Sequence, residues 1–421
     1  MRILIKINAM TSVVAFVVLS LFSAPGAQAQ NSSPNWVGSW AAAQQLPEPD
    51  NSVPPELLKD ATLRQIIHLS VGGPALRIHL SNAFGSLPLH LTRVRVARPL
   101  SPAAAAIDPA TEKPVTFFGK PDVTIPAGAE FISDLVDFPA APLSDLAVSI
   151  HFDLPPSEQT GHPGSRATSY LIHGDAVSAL DLPGARKFDH WYQLAAIDVA
   201  SVQSGAAAIV ILGDSITDGH GATTNGNDRW TDVLAQRLQA DVRYKNTIGV
   251  LNEGIGGNHL LTDGLGANAL ARLDRDVMAQ AGVQWVIVLE GVNDLGGFTR
   301  LNDPPRPEHE AFVQRLLGAY QQIVIRAHAA RLKVIGATIL PYAESDYYHP
   351  PSSNEADRQT INAWIRTPGH FDAVIDFDKA MADPHRPDHL APAYDSGDHL
   401  HPSLAGYRAM GELIPLSLFV P

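Results

Sequence analysis

Ser215 is the first candidate for chemistry. It lies in the segment Gly-Asp-Ser-Ile-Thr-Asp-Gly at 213–219, directly after an apolar run at 208–212. In open α/β sheets ligands bind beyond the carboxyl ends of the strands, where a serine hydroxyl could act as a nucleophile. The structural alternative is that Asp214 or Ser215 caps a following helix, a common role for these residue types. The motif alone does not decide between the two interpretations.

A base and its orienting acid are predicted near the C-terminus, where Asp398 stands three residues before His401. In a tight turn such a carboxylate can accept a hydrogen bond from one ring nitrogen while the other nitrogen faces a hydroxyl. His399 is the alternative base, and the spacing favours His401. A metal site is a second alternative, because more potential ligands lie nearby: Asp383, His385, Asp388 and His389. The segment has no His-Glu-x-x-His pair and is rich in proline, which argues against ligands on one helix face.

Two further segments could stabilise negative charge. A glycine-rich segment at 252–258 includes Gly257, and glycines allow a backbone N–H to approach a ligand closely. From this segment alone an ordinary turn is the simpler interpretation. Asn293 follows the apolar run 285–289, so its carboxamide could donate to a developing oxyanion at a strand end. Asn and Asp also favour turns, so this signal is weak in isolation.

Two hydrophobic patterns would position these segments. Up to about residue 200, short alternating stretches separated by Gly and Pro predict an antiparallel β-sandwich. After Gly205, apolar runs alternate with segments of helical period, which predicts a parallel sheet covered by helices. The predicted strands of the second half are 208–212, 283–289, 334–339 and 373–375, and the predicted helices are 230–238, 308–329, 354–365 and 403–416.

Taken in order, Gly-Asp-Ser-Ile-Thr-Asp-Gly, the Gly257 loop, Gly-Val-Asn-Asp and Asp-His-Leu-His resemble the four blocks of the SGNH (GDSL) hydrolase superfamily. The resemblance covers about 206–416. It implies a three-layer α/β/α domain and a serine esterase that uses neither a metal nor an organic cofactor. It also implies Ser215 as nucleophile, Asp398 and His401 as its partners, and an oxyanion hole formed by the N–H groups of Ser215 and Gly257 and the side chain of Asn293. Glu290, beside the third block, could act on substrate choice or only on structure.

The N-terminal half is similar to segments that precede the SGNH domain in secreted bacterial members grouped with xylan-degrading esterases. The segments that carry this similarity are Gly-Ser-Trp-Ala at 38–41 and Arg-Ile-His-Leu-Ser-Asn at 77–82. We therefore expect a jelly-roll-like β-sandwich domain at 30–200 and a catalytic domain at 201–421. We also expect the β-domain to shape substrate access without a chemical role, because every candidate residue follows it.

The implied substrates are short acyl (acetyl-type) esters on plant-type polysaccharides or oligosaccharides. A lipolytic or aryl acylesterase of broad specificity is the first alternative. An inactive sugar-binding protein is the second.

Composition limits the other possibilities. The 421 residues are 45% hydrophobic and 17% charged, which is typical of a packed globular protein, and the absence of cysteine excludes disulfides and thiolate chemistry. The net charge of −13, without a Lys or Arg run, argues against nucleic-acid partners. Arg2 and Lys6, an apolar run at 13–22 and Ala-Gln-Ala at 27–29 predict a signal peptide at 1–29, cleaved near Ala29, and a secreted or periplasmic protein. A membrane anchor is the alternative, but the apolar run is short for a span.

Overall fold

The computed structural model describes residues 34–420, and the predicted signal peptide lies outside them. The described residues from Asn35 onward belong to one compact unit. Within 34–420, no helix combines the length and the apolar character that a bilayer span requires.

The first half is antiparallel. Its strands are β1 (Asn35–Ala41), β2 (Ala61–His68), β3 (Leu76–Ser81), β4 (Leu89–Leu91), β5 (Arg93–Pro99), β6 (Ile107–Val115), β7 (Val123–Ile125), β8 (Glu130–Ile132), β9 (Asp145–Phe152), β10 (Gly161–His162), β11 (Ser169–His173), β12 (Arg186–Phe188), β13 (Trp191–Tyr192) and β14 (Leu194–Ser201). A six-stranded sheet has the order β12-β11-β2-β9-β5-β6 and a four-stranded sheet the order β1-β14-β3-β8, while β4 pairs with β7 and β10 with β13. The antiparallel class predicted for this half is confirmed; the jelly-roll-like arrangement stays a prediction.

The second half contains a five-stranded parallel sheet. It is built from β15 (Ala207–Gly213), β16 (Ile248–Gly254), β17 (Val283–Leu289), β18 (Lys333–Ala337) and β19 (Ala373–Ile375), in the order β16-β15-β17-β18-β19. β15 is buried along its whole length, as expected of a strand covered on both faces. The predicted parallel sheet is therefore confirmed. A small hairpin follows, made of β20 (Ala382–Asp383) and β21 (Arg386–Leu390).

Helices cover this sheet. They are α1 (Ser215–Asp218), α2 (Trp230–Ala240), α3 (Ala269–Leu273), α4 (Val292–Thr299), α5 (Arg306–Ala329), α6 (Ser352–Arg366), α7 (Phe377–Met381) and α8 (Leu404–Leu413). The chain moves from β15 to β16 in one direction and from β17 through β19 in the other. Right-handed crossovers therefore place α2 on one face and α5 and α6 on the other. The packing agrees, because α2 lies against α8 and α5 against α6.

The antiparallel region and the parallel sheet share one hydrophobic core. Buried residues of both regions, such as Val37 and Leu251, belong to a single cluster. At the edge of the parallel sheet, Ala42 forms a parallel bridge with Asn252. The strand class changes between Ser201 and Ala207, close to the predicted boundary, but the division into two domains at 30–200 and 201–421 stays a prediction.

Candidate active site

Ser215 is the first residue of α1, immediately beyond the end of β15. The Asp214 side chain accepts a hydrogen bond from the Ile216 N–H at 2.9 Å, so the capping role falls to Asp214. The Ser215 hydroxyl is left for another partner, and its Oγ lies 2.9 Å from Nε2 of His401. Both side chains are largely buried, and each residue keeps 9% exposure.

His401 is held by Asp398. Its Nδ1 lies 2.6 Å from Oδ2 of Asp398, whose Oδ1 accepts the backbone N–H groups of Leu400 at 3.0 Å and His401 at 2.8 Å. Partial burial favours the neutral acid, but the hydrogen bonds from the His401 ring and backbone outweigh it and hold the pKa of Asp398 well below its usual range. Asp398 is therefore ionised at neutral pH, and it orients the ring so that Nε2 faces Ser215.

His399 is paired elsewhere. Its Nδ1 lies 2.6 Å from Oδ2 of Asp395, and its side chain is 42% exposed. Of the two histidines, only His401 is in hydrogen-bond contact with Ser215 among the described residues.

The residues considered for a metal site form local pairs. Asp388 contacts His389 at 2.6 Å, and Asp383 accepts the backbone N–H of His385 at 2.8 Å.

His220 was not singled out from the sequence. Its ring lies 4.0 Å from the ring of His401, tilted by 33°, and so covers one face of the imidazole. Partial burial and the neighbouring His401 lower the pKa of His220. Atoms of His220, Asp398 and His401 that could bind a metal lie within 4.8 Å of one another, so a cation here would compete with the contact to Ser215. The position of His220, directly after the first motif, was the available signal.

Three hydrogen-bond donors follow the ends of β15, β16 and β17: the N–H groups of Ser215 and Gly257 and the side chain of Asn293. The backbone N–H groups of Ser215 and Gly257 have no hydrogen-bond partner within residues 34–420. Gly257 has φ +66°, a left-handed conformation that glycine adopts without strain. Asn293 lies in the first turn of α4, and its Nδ2 donates one hydrogen to the Asn258 carbonyl at 2.8 Å. The second hydrogen on Nδ2 remains for another acceptor.

Tyr348 fixes the orientation of this amide. Its hydroxyl donates to Oδ1 of Asn293 at 2.6 Å, which identifies the other amide atom as the donor. The ring of Tyr348 is buried against α4 at Gly296, where a Cβ would lie 2.4 Å from it. Two residues earlier, the Asp346 N–H donates to the Asp398 carbonyl at 3.2 Å. The loop at 346–348 therefore contacts both Asn293 and Asp398, although no sequence motif predicted its role.

Arg272 connects the strand ends beneath the site and is 1% exposed. Its guanidinium donates to the carbonyl oxygens of Gly213 at 3.1 Å and Glu253 at 2.6 Å, and to Oδ1 of Asn258 at 3.0 and 2.9 Å. It also pairs with Asp276 at 3.1 Å. One side chain thus holds β15, β16 and the glycine-rich loop together, although it lies outside every motif.

Glu290 is buried behind the site and has 1% exposure. Its Oε1 lies 3.5 Å from Nη2 of Arg272, and its Oε2 has no hydrogen-bond partner among the described residues. Burial, and then the nearby Asp214 carboxyl, raise the pKa of Glu290 well above its usual range despite the opposing charge of Arg272. This environment places Glu290 in the interior scaffold rather than at the substrate surface.

Comparison with known proteins identifies the family of the domain that carries this site. Residues 211–409 match the model of the GDSL-like Lipase/Acylhydrolase family. The chain carries a GDSL-like lipase/acylhydrolase domain. The resemblance to the SGNH superfamily is confirmed, and the chain is a carboxylic ester hydrolase. No curated protein matches it.

Solved structures similar to the GDSL-like domain cover about half of the chain. A protein described as lipolytic, of the G-D-S-L family, from Desulfitobacterium hafniense is 24% identical and covers 49% of this chain and 97% of its own, with a TM-score of 0.37. A GDSL-like lipase from Bacteroides thetaiotaomicron is 22% identical over 50% of this chain and 87% of its own, with a TM-score of 0.36. A catalytic mutant of Axe2, an acetylxylan esterase from Geobacillus stearothermophilus, is 21% identical over 50% and 94%, with a TM-score of 0.36.

Proposed function

We propose that this chain is an exported serine esterase that removes short acyl, acetyl-type groups from plant-type polysaccharides or oligosaccharides. The observation that carries the proposal is the chain of contacts from Ser215 Oγ to His401 Nε2, 2.9 Å, and from His401 Nδ1 to Asp398 Oδ2, 2.6 Å. A hydroxyl, an imidazole and a carboxylate in this order are the arrangement that activates serine for acyl transfer.

Acylation uses these groups in turn. Nε2 of His401 takes the proton of Ser215 as Oγ attacks the ester carbonyl carbon. The carbonyl oxygen gains negative charge among the N–H groups of Ser215 and Gly257 and the free hydrogen of Asn293 Nδ2. The carbon–oxygen bond to the alcohol then breaks, and the alcohol leaves with the proton from His401. The product is an acyl ester on Ser215.

Deacylation repeats the sequence with water. His401 removes a proton from a water molecule that attacks the acyl carbon, and the same donors hold the second oxyanion. The bond to Oγ breaks, Ser215 recovers its proton from His401, and the carboxylic acid leaves. Asp398 remains ionised and stabilises the imidazolium that forms in both steps.

The surroundings of Asn293 support a sugar substrate. Tyr347 is 54% exposed and its ring lies 4.7 Å from that of Tyr348, which holds Asn293. The Arg300 guanidinium stacks 4.0 Å from the centre of the Tyr347 ring. An exposed aromatic ring of this kind offers an apolar face with a polar tip, the surface on which a sugar ring can pack. Export is proposed from the sequence of 1–29 alone.

Ser215→Ala tests the chemistry. We expect kcat on p-nitrophenyl acetate to fall by roughly a millionfold while the fold, followed by circular dichroism, is unchanged. Full activity in the folded variant would refute the nucleophile.

Acetylated xylan and a series of p-nitrophenyl esters of increasing chain length test the substrate. Wild type should prefer acetyl, and Tyr347→Ala should lower kcat/KM on xylan more than on p-nitrophenyl acetate. A preference for long acyl chains would favour the lipolytic alternative, and binding of xylan without turnover of any ester would favour the inactive sugar-binding protein.

A further inference from the structure

We propose that His162, in the antiparallel region, is a positioning residue that braces α1 through Asp218 and so fixes the place of the Ser215 hydroxyl. The proposal rests on the proposed role of Ser215 as nucleophile. It assigns the antiparallel region a part in forming the active site, in contrast to the expectation that this region only shapes substrate access.

His162 is bonded on both sides of its ring and is 3% exposed. Nδ1 lies 2.8 Å from the Ala43 carbonyl oxygen, which can only accept, so Nδ1 carries a hydrogen. Nε2 lies 2.9 Å from Oδ1 of Asp218, within hydrogen-bond distance. The ring is also stacked on Trp191 at 5.8 Å and 27°. The imidazole is therefore a fixed link between the antiparallel region and α1.

Asp218 is the last residue of the helix that Ser215 begins. Its backbone N–H donates to the Asp214 carbonyl at 2.9 Å, which closes the single turn of α1. The loop of the antiparallel region approaches Asp218 so closely that a Cβ at Gly164 would lie 1.9 Å from Oδ2. A larger residue at Gly164 would therefore require the Asp218 carboxylate to move, so the loop at 163–168 and α1 are in close contact.

Two guanidinium groups hold the carbonyl oxygens at the end of α1. Nε of Arg229 donates to the Asp218 carbonyl at 2.8 Å, and Nη2 of the same residue donates to the carbonyl of Ser165 in the loop. Nε of Arg166, itself in the loop, donates to the Gly219 carbonyl at 3.2 Å. The loop therefore contacts both the side chain of Asp218 and the backbone carbonyl of Gly219 at the C-terminal end of α1.

A helix of one turn has little stability of its own, because helix nucleation costs more than one turn returns. The position of Ser215 must then depend on what surrounds α1. Misplacing a reacting group by about 1 Å can cost a hundredfold in rate. By holding Asp218, three residues after Ser215, His162 can therefore affect the rate without touching the substrate.

His162→Ala should leave a folded protein. A pocket of about 50 Å³, lined in part by His162, Asp218, Arg229 and Trp191, already adjoins the ring. The lost imidazole would enlarge an existing pocket that has polar side chains such as Asp218 and Arg229 in its lining, rather than open a new void in a wholly apolar core.

The experiment uses the full chain with three variants. His162→Ala removes the brace, and His162→Gln keeps a side-chain amide that can reach Asp218. His151→Ala is the matched control, because His151 is also a buried histidine of the antiparallel region, 6% exposed, with Nε2 3.1 Å from Asp60 and Nδ1 2.6 Å from Thr92. The measurements are kcat and KM on p-nitrophenyl acetate, the rate of Ser215 labelling by a fluorophosphonate, and the urea midpoint.

We expect His162→Ala to lower kcat and the labelling rate by roughly ten- to a hundredfold with little change in KM. His162→Gln should recover most of the loss, and His151→Ala should lower the urea midpoint while keeping wild-type kcat. The proposal is overturned if folded His162→Ala keeps wild-type kcat, if His151→Ala loses kcat equally, or if His162→Gln recovers nothing. Wild-type protein that is not labelled at Ser215 would instead refute the proposed function, and this inference with it.

Discussion

Neighbouring carboxylates decide which histidine can act as the base. His401 and His399 each have an acid 2.6 Å from Nδ1, but the acid partner of His401 also leaves Nε2 pointing at Ser215. The partner of His399, Asp395, holds its ring on a side chain that is 42% exposed. The two histidines therefore differ in where the ring points, and only the ring of His401 faces the Ser215 hydroxyl.

His401→Ala should lower kcat by roughly four to six orders of magnitude, since no other base within residues 34–420 is in hydrogen-bond contact with the Ser215 hydroxyl. His399→Ala is the matched control and should change kcat by no more than a fewfold. Steady-state kinetics on p-nitrophenyl acetate measures both. If His399→Ala were the more damaging variant, the base would be His399.

Tyr348→Phe should lower kcat by roughly tenfold with a smaller change in KM, because the buried Oδ1 of Asn293 loses its donor and the amide can turn away from the oxyanion. Asn293→Ala should lower kcat by roughly a hundred- to a thousandfold. The informative measurement is the double variant: Tyr348→Phe should add little once Asn293 is gone.

Tyr347→Phe is the control for the comparison of these single and double variants. Tyr347 directly precedes Tyr348 but its ring is exposed, so this variant should leave kcat on p-nitrophenyl acetate unchanged. If Tyr348→Phe lowered kcat equally with and without Asn293, Tyr348 would act by another route.

The sequence predicted the site residues that lie in ordered motifs. It did not predict the residues that contact the site only through the tertiary fold. Ser215, Asn293 and Asp398 each follow a strand or occupy a tight turn, so their place is local information. Arg272 and Tyr348 contact the site through the tertiary fold, at separations such as 55 residues between Tyr348 and Asn293. Spacing along the chain cannot report contacts of this kind.

At the scale of elements, apolar composition predicted four of the five parallel strands, and β16 (Ile248–Gly254) was not among them. The predicted strands 283–289 and 373–375 coincide with β17 and β19, and the predicted helix 308–329 is α5 with two residues missing at its start. Uninterrupted apolar runs and a helical stripe leave little choice of structure.

The antiparallel strands were predicted less accurately. The alternating pattern at 65–71 predicts a strand there, whereas β2 begins at Ala61 and ends at His68. The earlier start includes Arg64, a residue type usually found at the surface but here wholly buried. Its guanidinium donates to Ser149 and to carbonyl oxygens such as that of Ala105. The apolar stretch at 115–118 also predicts a strand, but β6 ends at Val115, and the chain turns at Phe118, which has φ +53°.

Arg272→Met should unfold the site between β15 and β16. Removing the guanidinium deprives the buried oxygens of Gly213, Glu253 and Asn258 of their donor and leaves Asp276 paired with Arg275 alone, with an expected cost of about 3 to 5 kcal/mol in the free energy of unfolding. Arg272→Lys should not restore it, because one ammonium cannot reproduce the planar set of donors. Urea denaturation measures the loss.

The matched control is Arg326→Met, in α5. Arg326 joins α5 to the Leu270 carbonyl and to Asp274, but its side chain is 33% exposed. The expected cost is about 0 to 1 kcal/mol. Equal losses in the two variants would mean that Arg272 contributes no more than a surface arginine.

At the scale of the whole molecule, stability depends on pH through His79, a buried histidine that links three strands of the four-stranded sheet. From β3 its ring contacts Glu130 of β8 at 2.8 Å and Asp198 of β14 at 2.9 Å, and Asp198 is also bonded to Arg77 at 2.7 Å. Burial opposes the charge on His79, but the hydrogen bonds to Asp198 and Glu130 outweigh it and raise the pKa of His79 to about 9.

The stabilisation from His79 should disappear as pH rises. The folded pKa, about 9, lies above the ordinary value of 6.5, so the contribution is fully present below pH 6.5 and is lost as pH passes through 9. The shift corresponds to on the order of 3 kcal/mol. His79→Gln should therefore be less stable than wild type at pH 6 and closer to it at pH 10, as measured by urea denaturation.

The control for this profile is His173→Gln, at a side chain that is 81% exposed, and it should follow the wild-type pH dependence. A His79→Gln deficit that stayed constant from pH 6 to pH 10 would show that the ring stabilises by packing and not by charge.

The Ala42–Asn252 bridge also covers part of the outer edge of the parallel sheet. β16 is the outermost strand on its side of the parallel sheet, and the N–H of Val250 donates to the Ser70 hydroxyl at 3.0 Å. Backbone groups that an open sheet edge would offer to a strand of another molecule are thus occupied from within the chain. A fragment beginning near residue 206 would expose that edge, and it would be prone to add strands from its own copies and precipitate.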